Sequence, residues 1–181
     1  MIIILISFTP FSLAKKKEMG IVFGINFSDT NGDSDIQSEG IIDLQLGGYY
    51  LVNLTDNLNF QTELLWIKKG YGFGIDDRDV DLAYFQIPLL LQLEINRKSY
   101  VSFGPYLSYL AKAKLTNPNS DITRDFKRIE YGLNLGAFYQ ISQRTKFYAR
   151  ANFGLNSIFD SAKEKTIVAE FGVNYSLFNL R

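Results

Sequence analysis

Four oxygen-bearing side chains alternate in one short segment: Asp29, Asn31, Asp33 and Asp35, in the run Asp-Thr-Asn-Gly-Asp-Ser-Asp. Oxygen ligands at alternate positions can wrap a Ca²⁺ ion, as EF-hand loops do. Two positions break the match. Ser34 stands where the sharp turn needs Gly, and Gly40 stands where a bidentate Glu belongs. The segment reads as a solvated loop, and no metal is assigned to it.

Catalytic chemistry is limited by what the chain lacks. It contains no Cys and no His. Without Cys there is no disulfide framework and no thiolate nucleophile. Without His there is no Ser-His-Asp triad, no Cys-His pair and no common zinc site. No carboxylate constellation takes their place. Catalytic, cofactor-binding and metal-binding residues are therefore all unassigned, and a non-enzymatic protein is expected. The 19 Lys and Arg balance the 19 Asp and Glu, so there is no bulk attraction to nucleic acid.

The charges that could act together are Asp43, Glu63, Glu94, Lys112, Glu130, Arg150 and Glu170. Each sits on the polar face of a segment with period 2, the mark of a strand with one apolar side. In the last segment Ile167, Ala169, Phe171, Val173, Tyr175 and Leu177 alternate with Val168, Glu170, Gly172, Asn174 and Ser176. Seven earlier segments repeat the pattern, near 19–28, 42–52, 58–66, 85–95, 101–112, 129–140 and 147–156. Strands of such length can cross a bilayer, which takes about 9–11 tilted residues. Their connections alternate too. Short ones fall at 53–57, 96–98 and 142–144, long polar ones at 29–40, 70–79, 116–125 and 160–165. Short periplasmic turns and long outer loops are the habit of a transmembrane barrel. Both termini then lie in the periplasm.

Alternation alone does not say which face is inside. The polar faces are rich in Gly, Asn, Ser and Gln with scattered charges of both signs. Small polar groups suit a narrow, crowded lumen, whereas a water-facing surface carries many Lys and Glu. The apolar faces are therefore expected to meet lipid. The charges are expected to form a structural network rather than an ion path, with Tyr49, Leu65, Tyr106 and Phe138 narrowing the lumen. Tyr50, Trp66, Tyr84, Tyr100, Tyr139 and Tyr175 recur toward strand ends, where interfacial aromatic girdles belong. Pro88 and Pro105 fall inside strands four and five, where proline is poorly tolerated except at bulges or edges.

Met1 to Ala14 is apolar, too short to span a bilayer as a helix, and has the length of a secretory h-region. Ser12 and Ala14 set small residues at the −3 and −1 positions of a cleavage site. The expected organisation is a signal peptide over 1–14 and a barrel domain over 15–181. Lys15-Lys16-Lys17 then opens the mature chain, as a solvated tail or against anionic headgroups of the inner leaflet.

A series of elements carries a family resemblance. Gly24-Ile25-Asn26-Phe27-Ser28 opens it, and Phe60-Gln61-Thr62-Glu63-Leu64-Leu65-Trp66 precedes Lys69-Gly70. Ile87-Pro88-Leu89-Leu90-Leu91, Gly104-Pro105-Tyr106-Leu107 and Tyr131-Gly132-Leu133-Asn134-Leu135-Gly136 follow. The series resembles the PorT-type outer-membrane β-barrel family of Bacteroidota, over about Gly20 to Phe178. The resemblance implies an outer-membrane barrel that carries prolines at those two strand positions. It also implies contact with periplasmic chaperones and the barrel-assembly machinery, which reads a terminal aromatic such as Phe178, here followed by Asn179-Leu180-Arg181. It implies no activity.

The expected fold is thus all-β: an eight-stranded antiparallel up-and-down transmembrane β-barrel in the cell outer membrane of a Gram-negative bacterium. Its expected role is a lipid-embedded, non-enzymatic anchor whose extracellular loops serve binding or envelope structure. A narrow pore for small solutes or ions is one alternative. A soluble, lipocalin-like ligand-binding barrel is the other.

Overall fold

The computed structural model describes residues 16–31, 38–73, 78–116, 120–159 and 165–180. Eight long strands account for most of them: β1 (Lys17–Asn31), β2 (Ser38–Asn53), β3 (Leu58–Phe73), β4 (Arg78–Asn96), β5 (Ser99–Leu115), β6 (Ile129–Gln140), β7 (Thr145–Gly154) and β8 (Lys165–Leu180). Each is antiparallel to its neighbours, and β8 pairs back onto β1, so the sheet closes. A two-residue strand, Ser120–Asp121, adds to the far end of β5. The eight-stranded up-and-down barrel stands as expected. Closure matters because an open edge would leave unpaired N–H and C=O groups in lipid.

The strands are staggered. From Lys17 the pairing runs through Val52, Phe60, Leu91, Phe103, Leu135, Ala151 and Ala169, and returns to β1 at Phe27, ten residues on. That stagger corresponds to a strand tilt of about 40° and an interior only wide enough for side chains. The barrel core must therefore be made of the inward residues themselves.

Both prolines are accommodated by local lapses in the ladder. The β3–β4 register skips from Thr62↔Leu89 to Leu65↔Gln86, passing over Pro88. The β4–β5 register skips from Pro88↔Tyr106 to Leu91↔Phe103, passing over Pro105. Proline has no N–H to donate, so one rung is lost beside each.

The apolar faces look outward. Met19, Ile21, Phe23, Ile25 and Phe27 are exposed on β1, while Gly20, Val22, Gly24, Asn26 and Ser28 between them are buried. The same holds for Phe85, Ile87 and Leu89 on β4 and Leu133 and Leu135 on β6. A soluble lipocalin-like barrel would have buried these side chains, so that alternative is set aside. Trp66, Tyr109 and Tyr131 stand outward toward the long-loop end, and Tyr139 and Tyr175 outward toward the short-turn end. Two of the six expected girdle residues do not fit. Tyr84 is fully buried in the lumen, because it shares parity with the inward Gln86. Tyr100 is half-buried, with the Lys146 ammonium 5.5 Å from its ring centre.

Inward glycines make room for inward rings. A Cβ at Gly132 would lie 2.6 Å from the Tyr106 ring and 2.2 Å from the Phe153 carbonyl oxygen. Gly132→Val should therefore destabilise the folded barrel by about 1–3 kcal/mol, the usual cost of overpacking. Denaturant unfolding of the protein refolded into lipid vesicles measures this. An unchanged midpoint would show that Tyr106 does not lean on Gly132.

Candidate functional site: a filled lumen under two loops

Among the described residues the lumen holds three ionic clusters, each drawn from several strands. Arg150 of β7 is the centre of the largest. Its Nη1 donates to both oxygens of Glu63 on β3 at 2.8 Å. Its Nε donates to Glu170 Oε2 on β8 at 2.9 Å, with Nη2 2.8 Å from the same oxygen. The guanidinium carbon sits 4.3 Å from the Tyr148 ring centre, a cation–π distance. All three charged side chains are fully buried. Amides complete the shell. Gln61 Nε2 donates to Glu63, and Asn152 Nδ2 and Gln86 Nε2 donate to Glu170 Oε1. Gln45 Nε2 reaches the Tyr148 hydroxyl at 2.6 Å.

Nearer the long loops, Lys69 of β3 pairs with Glu130 of β6 at 2.9 Å. Glu130 also accepts from the Tyr106 hydroxyl at 2.8 Å and the Thr166 hydroxyl at 2.9 Å. The Lys69 ammonium lies 4.9 Å from the Tyr84 ring centre and 5.3 Å from that of Tyr106. Toward the short turns, Lys146 lies 3.7 Å from Glu18, which also accepts a hydrogen bond from the Tyr49 hydroxyl.

Apolar side chains share the rest of the lumen with buried amides such as Asn26, Asn134 and Asn174. Val22, Tyr49, Leu51, Leu65, Leu90, Phe138 and Tyr148 form one cluster, as Tyr49, Leu65 and Phe138 were expected to do. A second cluster, Ile67, Val80, Leu82, Tyr84, Leu110 and Ala113, closes the long-loop end. It is sealed by two loops. Phe126 from the β5–β6 connection and Ile158 from the β7–β8 connection are buried in it. Phe126 and Phe159 bridge the loops through a backbone pair, with ring centres 4.6 Å apart. Lys127 N donates to Ile158 O at 2.9 Å.

Of the charges expected inside, Glu63, Glu130, Arg150 and Glu170 are buried there. Asp43 and Glu94 are only half-buried. Lys112 is a correction: it is exposed on the outer side. A bulge is responsible. Ala83 pairs with Lys112 but Tyr84 pairs with Leu110, so Ala111 is an extra residue in β5 and the inward parity flips beyond it. Sequence reasoning missed Lys69, Glu18 and Lys146. Lys69 was readable, since Glu63, Leu65, Ile67 and Lys69 continue one parity. Of the alternating oxygen series, Asp29 pairs with Ile167 in the β1–β8 ladder and Asn31 with Lys165. Asp33 and Asp35 lie outside the described residues.

A closed barrel with an apolar exterior and a polar, ion-paired interior has the lipid-bilayer pattern. The model of the family described as "Outer membrane protein beta-barrel domain" matches residues 12–160. The chain belongs to that family. As a member of it, the protein resides in the outer membrane. Solved structures agree on the fold. The chain is similar to Ail, the attachment invasion locus protein of Yersinia pestis, at 16% identity and TM-score 0.54, covering 88% of this chain and 98% of that one. It is also similar to neisserial surface protein A, at 11% identity and TM-score 0.62, covering 88% and 97%. Outer membrane protein OprG of Pseudomonas aeruginosa matches at 15% identity and TM-score 0.50, covering 92% and 95%. No curated protein sequence matches the chain.

Proposed function

We propose that this outer-membrane barrel is a closed, non-enzymatic anchor that holds its long loops at the cell surface for binding or envelope structure. The observation that carries the reading is the filled lumen. Arg150, Glu63 and Glu170 cross the barrel interior, and two apolar clusters pack in the lumen beside them. A conducting pore needs a continuous wet path, and bulky side chains and ion pairs occupy the space instead.

Three finer points belong to the same reading. Ile87-Pro88-Leu89-Leu90-Leu91 and Gly104-Pro105-Tyr106-Leu107 support placing the chain in the PorT-type branch. The apolar run Met1 to Ala14, outside the described residues, serves as a signal peptide of a Gram-negative host. Partners in biogenesis are periplasmic chaperones and the barrel-assembly machinery; the lipid bilayer is the partner in place.

The absence of cysteine allows a clean test of loop orientation. Thr116 follows β5 at the long-loop end and Gln143 lies in the short β6–β7 turn, both exposed. In intact cells a membrane-impermeant maleimide should label Thr116→Cys and spare Gln143→Cys until the outer membrane is opened. Labelling of Gln143→Cys in intact cells, with Thr116→Cys protected, would invert the barrel and remove the surface role.

A further inference from the structure

The bulge at Ala111 does more than shift parity. Before it, odd-numbered residues of β5 face out, with Leu107 and Tyr109 exposed. Beyond it, Lys112 and Lys114 face out while Ala113 is buried in the apolar cap. Both lysines are thereby aimed at the membrane-facing side. Lys114 stands opposite Asp81 of β4. Across β4 from Lys112 stands the uncharged Ala83, while the Asp121 carboxylate lies on its loop side.

Two arginines line the same depression as Lys112. Arg124 comes from the short 3-10 turn Thr123–Asp125, and Arg128 lies just before β6. The three line a polar depression of about 560 Å³ together with Ala111, Asp121 and Thr123. Arg128 is held in place by its Nη1, which donates to Leu110 O at 3.2 Å. Asp121 is turned into its own loop. It accepts from the Thr123 hydroxyl and from Thr123 N at 3.0 Å, and these bonds, with smaller contributions from the Lys112 and Arg128 charges, hold its carboxyl below the usual carboxylate range. Among the described residues, none of the three cations is in a salt bridge. Three cations against one carboxylate leave a surplus of positive charge on the depression.

Its height matters as much as its charge. Lys112 is three residues beyond Tyr109, an outward aromatic of the long-loop girdle. Because Ala111 is the extra residue, those three positions advance only two rungs along the partner strand, from Phe85 to Ala83; at about 3.3 Å per rung and roughly 40° tilt, that is about 5 Å above the ring. Aromatic belts sit at headgroup level, so the cations meet the phosphate layer of the outer leaflet from the side. A solvated surface needs no such grouping, and lysine spread singly would serve it as well.

We propose that Lys112, Arg124 and Arg128 form a binding site for the phosphate groups of an outer-leaflet lipid, such as the phosphorylated glucosamine headgroup of lipid A. The depression includes the outward Lys112, two rungs beyond the outward Tyr109. That placement suits a headgroup whose chains run down the barrel wall, more than a free ion. The site requires the long loops to lie outside, which labelling of Thr116→Cys reads separately.

The test uses the full barrel in nanodiscs of phosphatidylcholine, with lipid A, dephosphorylated lipid A or inorganic phosphate added. Native mass spectrometry counts retained lipid. Wild type should retain lipid A, retain the dephosphorylated form at least about tenfold less, and gain nothing from inorganic phosphate. The variant K112Q/R124Q/R128Q should lose lipid A to the same extent while keeping the heat-dependent gel shift of a folded barrel. R124Q alone, on the loop, should weaken retention in part. Equal retention of both lipid forms by wild type, or undiminished lipid A on the folded triple variant, would overturn the site. So would retention of inorganic phosphate equal to that of lipid A.

Discussion

Arg150→Met should lower the stability of the folded barrel by about 3–5 kcal/mol, the cost of stranding buried charge. The guanidinium contacts Glu63 and Glu170, and among the described residues neither carboxylate is in a salt bridge with another cation. Gln61 is the hydrogen-bond donor left to Glu63, and Asn152, Gln45 and Gln86 remain for Glu170. Amides cannot replace a full positive charge. The loss comes from the two unpaired carboxylates rather than from any large net gain in the pairs, since burying ions costs most of what their attraction returns. A second variant separates these terms. Arg150→Met combined with Glu63→Gln and Glu170→Gln removes the stranded charge and should recover much of the loss. Urea unfolding in lipid vesicles measures both. A single Arg150→Met barrel as stable as wild type would mean that the triad does not hold the lumen together.

Phe103→Arg should have the next largest effect. Phe103 is exposed on the outer side of β5, between Tyr100 near the short turns and Tyr109 near the long loops. It therefore sits close to the middle of the membrane. An arginine facing hydrocarbon there costs about 2–4 kcal/mol, falling toward zero at the interfaces. Arginine at Tyr109, nearer the headgroups, should cost less. The same substitution on a water-facing surface would be close to neutral. Equal, small effects at Phe103 and Tyr109 in the same unfolding assay would therefore contradict the lipid-facing assignment.

Much of this architecture can be read from the chain. Alternation such as Met19-Gly20-Ile21-Val22-Phe23-Gly24-Ile25 marks each strand, and small polar residues mark the inward face. Glu63, Glu130, Arg150 and Glu170 were identifiable as a lumen set because a narrow barrel has nowhere else to put them. What period 2 cannot carry is a one-residue slip. The extra residue at Ala111 flips every later side chain of β5, and nothing in Leu110-Ala111-Lys112-Ala113-Lys114 announces where the flip falls. The long-loop ends were also obscured. There the inward face is apolar, with Ile67, Val80, Leu82 and Leu110 under the loops, so the contrast between faces fades and the strands look shorter than they are. Lys69 and Tyr84 were lost in that fading, although their parity with Glu63 and Gln86 places both inside. The loop cap of Phe126, Ile158 and Phe159 had no local signal, because it joins residues from two separate connections.

The central claim is that this barrel is shut. Purified protein, shown folded by its heat-dependent mobility in SDS, should be inserted into a planar lipid bilayer and held under voltage. With the lumen filled by the Arg150 triad and the two apolar clusters, the current should stay at the bare-membrane baseline. Phe126→Ala with Phe159→Ala, which loosens the loop cap alone, should leave it there because the layers beneath remain packed. Reproducible unitary current steps from the wild-type barrel would contradict the closed-anchor account and make the ion-paired lumen a conduction path.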